Sequence, residues 1–195
     1  MAPKQKHRQP IIDAAVTLFR RRGYAATGMN DIAEASGAPK GSMYHYFPEG
    51  KPSIAVAAVE EAGLRVEKTL RELADRSTST GVLIEAHAAL LGRWMAASGF
   101  RDGCPITTVL LELAPGDRAV AAAGRRAYAR RVEILRGRLV ADGHDALRAA
   151  KLASLCTSAL QGALVEARVR RSREPLRIAA RELAALLPPC EPPSR

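Results

Sequence analysis

Apolar residues recur three and four apart along most of the chain, and no strand pattern lasts more than a few residues, so the sequence predicts an all-α fold. Ile11, Ile12, Ala15, Leu18 and Phe19 share one face of a helix over 10–22, and Gly23 stands where that helix should close. A turn and a half over 30–36 carries Ile32, Ala33 and Ala35 as its apolar or small face. Gly37 follows, and its access to positive φ suits a helix end. A second short helix comes next, with Pro39 accommodated in its first turn, where the N–H it lacks has no intrahelical partner. Successive helical side chains diverge by about 100°. In Met43-Tyr44-His45-Tyr46-Phe47, the pair Met43 and Phe47 therefore turns inward and leaves Tyr44 and His45 outward.

Pro52 starts a long helix over 52–75 with Val59, Ala62, Val66, Leu70 and Leu73 as its stripe. The small polar run after it marks a loop, with Thr80 as a helix N-cap. The next helix, 81–98, places His87, Leu90, Leu91, Trp94 and Met95 on related faces and closes at Gly99. A tight turn at Asp102-Gly103 leads to a short helix that starts at Pro105 and is stopped by Pro115-Gly116. Asp117 can cap a helix to 142 and Asp145 another to 171. Pro175 opens the last helix, 176–187, before a CEPPSR tail too rich in proline to fold.

Composition narrows the class. A chain of 195 residues with 47% hydrophobic content builds one domain or two small ones around a sizeable core. The formal net charge of +10 implies a polyanionic partner, nucleic acid or an anionic membrane surface. Up to Lys51 there are eight Lys+Arg against four Asp+Glu, and much of the remaining charge is arginine read as solvated helix face, including Arg125, Arg126, Arg130, Arg131, Arg170, Arg171 and Arg173. Lys4, Lys6, His7 and Arg8 read as a polar arm that phosphate would order. Cys104, Cys156 and Cys190 form an odd set without CxxC spacing, which points to a reducing compartment such as a bacterial cytoplasm. The N-terminus lacks a signal-peptide core, and no run is long enough to span a membrane. The four histidines make no metal-ligand spacing, and no nucleophile elbow, P-loop or dinucleotide fingerprint is present. Cys104 has no neighbouring base and reads as a small hydrophobe or pocket-lining thiol. No catalytic, cofactor or metal role is expected.

The stretch TGMNDIAEASGAPKGSMYHYFPEGK has the form of a helix-turn-helix, although the same turn also fits an ordinary corner between two helices. The order of Thr27, Ile32-Ala33, Gly37, Gly41, Tyr44, Phe47 and Lys51, behind an N-terminal helix, resembles the tetracycline-repressor (TetR) family of bacterial transcriptional regulators. Gly28 departs from that pattern, standing where many members carry a second, capping Thr, and PEGK is one residue longer than the usual connection. GAPKGSMYHYFPEGK, and the later GCP segment with its apolar run and Glu, are similar to the LmrA/YxaF-like branch. The candidate DNA-binding residues are Thr27, Asn30, Pro39, Lys40, Gly41, Ser42, Tyr44, His45 and Lys51. The expected organisation is a helix-turn-helix domain (1–52), a linker helix (53–76) and a C-terminal ligand-binding and dimerisation domain (77–195).

Two roles compete for that body. Leu152, Leu155, Cys156, Ala159, Leu160, Ala163 and Leu164, with Leu176, Ile178, Ala179, Leu183 and Leu186 on the last helix, give more apolar surface than one monomer core needs. The resemblance implies that these two helices pair with their symmetry mates, making a homodimer on a palindromic operator; the alternative is that both helices are wholly buried within one subunit. Trp94, Met95, Phe100, Ile106, Leu110 and Tyr128 are candidates to line an apolar cavity, with Thr107, Glu112, Gln161 and Glu166 as its polar groups. An apolar stripe with a tryptophan is also what plain core looks like, and only the resemblance turns the set towards an apolar, drug-like or metabolite effector. The expected function is a ligand-responsive repressor. An activator of the same fold and a basic architectural protein that coats DNA without sequence choice are the alternatives.

Overall fold

The computed structural model describes residues 6–188; Lys4 at one end and Cys190 with its tail at the other lie outside them. Among the described residues there are nine helices and no strand. They are α1 (Arg8–Arg22), α2 (Met29–Ser36), α3 (Lys40–Tyr46), α4 (Lys51–Ala74), α5 (Thr80–Ala97), α6 (Pro105–Leu113), α7 (Arg118–Ala141), α8 (Ala146–Arg170) and α9 (Glu174–Ala185). None is long and apolar enough to cross a membrane.

Local chemistry sets the helix ends. Gly37 closes α2 at φ 64°, in the left-handed region that side chains with a Cβ resist. Asp117 Oδ1 accepts from the N–H groups of Ala119 and Val120, both at 2.9 Å, and Asp145 Oδ1 accepts from those of Leu147 and Arg148. Most ends differ from the sequence reading by a residue or two, and at three of them the local chemistry differs as well. Ser79, not Thr80, caps α5, its Oγ accepting from Val82 N at 3.3 Å, while Thr80 is buried in the first turn. Pro39 is itself the N-cap of α3, at φ −58° and ψ 142°, since a proline pins φ but leaves ψ free to stay extended. Arg8 already belongs to α1 and not to a polar arm, its guanidinium 5.7 Å from the Phe47 ring centroid.

The described residues form two compact units whose division is not the linear one expected: Cys104–Ala127 group with the N-terminal residues up to Leu64, and Arg65–Gly103 with the residues from Tyr128 onward. In the first unit α1 packs on α2, α3 and α6. Its core holds Ile11, Phe19, Ile32, Met43, Phe47, Ile54, Ile106 and Val109, each buried. In the second, α5, α8 and α9 pack together around Leu83, Ile84, Leu152, Leu160, Leu176 and Leu183. Asp142 ties the α4–α5 loop of this unit to the end of α7. It accepts from Thr80 N at 2.6 Å and pairs with Arg138 at 3.6 Å, and Arg138 also donates to the Ser77 carbonyl.

Candidate functional site

The short helix α3 separates two kinds of residue by its own periodicity. Met43 and Phe47 are 1% and 3% exposed, whereas Tyr44 is 57% exposed and Lys40, Gly41 and His45 are also exposed. Ser42 is half-buried, Pro39 and Asn30 are exposed, and His45 meets Tyr46 edge-on at 5.0 Å. A helix that shows a lysine, a glycine, a serine and two aromatics on its outer side can meet phosphates and base edges there, provided the helix is held rigidly from below.

The support comes from neighbouring segments. Thr27, one of the candidate DNA contacts, is fully buried and its hydroxyl donates to the Gly23 carbonyl at 2.8 Å, so it shapes the turn into α2 and has no outward face. Gly28 has no side chain to cap α2, and Asp31 reaches back instead, its carboxylate accepting from Gly28 N at 2.7 Å. Lys51 sets its Nζ 4.1 Å from the Tyr24 ring centroid, and burial lowers its pKa against the opposing pull of Glu112 and Asp31. Half-buried against that ring, it braces the reader from the side of Tyr24.

Glu112 completes that brace. The sequence reading made it a ligand-orienting group, but its carboxylate accepts from the N–H groups of Tyr24 at 2.7 Å and Ala25 at 2.6 Å, clamping α6 to the loop between α1 and α2. Gly23 makes this approach possible. At φ 85° it favours glycine, and a Cβ there would collide with Glu112 Oε1. Nothing local in the sequence signals a contact that spans 88 residues.

The other candidate ligand residues are divided. Ile106, Thr107 and Leu110 fall with Glu112 in the first unit, and Trp94, Met95, Phe100, Tyr128, Gln161 and Glu166 in the second. Trp94 is 52% exposed, Met95 is buried, and Glu166 pairs with Arg170 at 2.6 Å. Arg131 reverses its sequence reading as solvated surface, since it is buried beside Tyr128 and His87.

The pairing candidates also need correction. Leu152, Cys156, Leu160, Ala163, Leu164 and Leu183 are buried within one chain, and Ala159 is half-buried, because this stripe of α8 packs against α5 and α9. Of the candidates on α8 only Leu155 is exposed, and it belongs to another stripe: Leu147, Lys151, Leu155, Ser158, Gly162, Val165 and Val169, all exposed and spaced by three or four. At the last helix the candidates Ile178, on α9, and Leu186, its C-cap, are exposed, whereas Leu176 is buried and Ala179 half-buried. The missed signal was a second apolar stripe on α8.

Residues 11–58 match the family described as bacterial regulatory proteins, tetR family, and residues 82–182 match the transcriptional regulator LmrA/YxaF-like C-terminal domain. An HTH-type transcriptional regulator of Mycobacterium tuberculosis is 37% identical over 190 residues, covering 94% of this chain and 95% of that one. The HTH-type transcriptional regulator LmrA of Bacillus subtilis is 27% identical over 169 residues, covering 87% and 90%. A TetR transcriptional regulator from Legionella pneumophila shares the fold, with a TM-score of 0.81 at 20% identity over 92% of this chain and 96% of that one. The reader on α2 and α3, the α-helical body and both matches agree: the chain is a transcriptional regulator, not an enzyme, and belongs to the TetR family, with a C-terminal domain of the LmrA/YxaF-like kind.

Proposed function

We propose that the chain is a repressor that acts as a homodimer on a palindromic operator in the bacterial cytoplasm and is released from it by a small-molecule effector. The observation that carries the reading is the split on α3, with Met43 and Phe47 buried and Lys40, Gly41, Tyr44 and His45 turned out. The exposed stripe on α8 supports pairing, because Val165 at 54% and Val169 at 79% exposure are costly to leave in water on a helix this long. Two copies joined through such a face would present two readers to a twofold DNA site. Release requires that the effector bind the DNA-free conformation better than the DNA-bound one.

The net charge of +10 favours one other reading, a basic protein that coats DNA without sequence choice. Footprinting separates the two. A regulator protects one short site with twofold symmetry, and a coating protein protects DNA broadly, with no preferred sequence.

A further inference from the structure

The second unit buries a cation that neither the reader nor the pairing face uses. Arg131, on α7, is 7% exposed, and its Nε, shielded from solvent, has no hydrogen-bond partner. Among the described residues no carboxylate forms an ion pair with it. Its guanidinium lies 5.7 Å from the ring centroid of Tyr128, one turn earlier on the same helix. On α5, His87 is 5% exposed, and burial together with the Arg131 charge holds its pKa down at about 4, so it brings no charge of either sign at neutral pH. The adjacent Arg130 does not relieve the imbalance. It shares Glu67 with Arg71, at 3.5 Å and 2.9 Å, and keeps a buried Nη1 without a partner.

An arginine in this position has no escape through deprotonation, which a lysine or a histidine would have. Attraction to the Tyr128 ring is weaker than the desolvation penalty of a guanidinium. A buried positive group left in this state is a stability cost that a bound anion would remove. We propose that Arg131, flanked by Tyr128 and His87, is the charge-recognising end of the effector site, and that the effector is a monocarboxylate with an apolar or aromatic body. One guanidinium beside a neutral imidazole balances a single negative charge. A carboxylate matches the planar fork in a way a point anion does not. The apolar body follows from the neighbours along each helix: Leu135 on α7, one turn from Arg131, and Leu83, Ile84 and Ala88 on α5, within about one turn of His87, are all buried. This inference rests on the effector-responsive reading above and replaces its purely apolar ligand with an anionic one.

The test uses the full chain, with octanoate, dodecanoate and benzoate as probes and their methyl esters as neutral controls. Thermal unfolding reads binding, and fluorescence anisotropy of labelled operator reads release in the same titrations. The acids should raise the melting temperature and the esters should not. Arg131→Met should raise the ligand-free melting temperature by about 2–4 °C or more and weaken acid binding at least tenfold. The inference is overturned if Arg131→Met lowers the ligand-free melting temperature or fails to fold, since Arg131 would then be a satisfied structural group. It is equally overturned if no acid stabilises the chain, or if the esters do so as well as the acids. Acids that bind at Arg131 without releasing DNA would keep the anion site and remove the effector reading. Esters that bind and release DNA would do the reverse.

Discussion

Glu112 shows how much one side chain can decide. Two backbone N–H groups converge on its carboxylate, and each such charge-assisted bond is worth about 1.5–3 kcal/mol before allowance for its exposure to water. Replacing Glu112 with Ala should cost about 1–3 kcal/mol in urea unfolding and loosen the α1–α2 loop. An unchanged midpoint would mean the clamp is idle. His87 makes a second claim at this scale. An unfolded imidazole titrates near 6.5, whereas the folded one is held at about 4 by burial and by Arg131. Between those values the unfolded chain binds the additional proton, so this contribution to stability is full above pH 6.5 and falls as the pH drops towards 4. The gap is worth about 3 kcal/mol. His87→Leu should flatten the stability difference between pH 7 and pH 4.5, and a variant with the wild-type slope would assign that slope to other groups.

At the scale of elements, the face of α3 was legible because helical periodicity and one buried pair, Met43 and Phe47, settle which residues turn out. The role of α6 was not, because its partner loop is distant in sequence and Glu112 reads locally as one more polar position. Helix α8 misled for another reason. It carries two apolar stripes, and which one faces the core depends on the packing of α5 and α9, which no local pattern encodes. Arg131 was read as solvated because an arginine on a helix usually is. The correction on α8 is directly testable. Val165→Asp, on the exposed stripe, should leave a folded chain that runs as a monomer in light scattering. Leu160→Asp, at 4% exposure, buries a charge in the core and should unfold the second unit at a cost of several kcal/mol. A Val165→Asp protein that still pairs at micromolar concentration would move the interface elsewhere.

For the whole molecule, the account joins an outward reading face, a brace made of Glu112, Tyr24 and Lys51, and a body with a free apolar stripe and a buried guanidinium. Its central claim is that α3 selects a DNA sequence. Footprinting of wild type and Tyr44→Ala side by side, on genomic fragments enriched by the wild-type protein, tests that claim most directly. Tyr44 is exposed, so its loss should change stability by no more than about 0.5 kcal/mol. The account predicts a short, twofold-symmetric protected site for wild type, and at least tenfold more Tyr44→Ala protein to protect it at an unchanged melting temperature. Protection spread along every fragment, or a site equally protected by Tyr44→Ala, would contradict it.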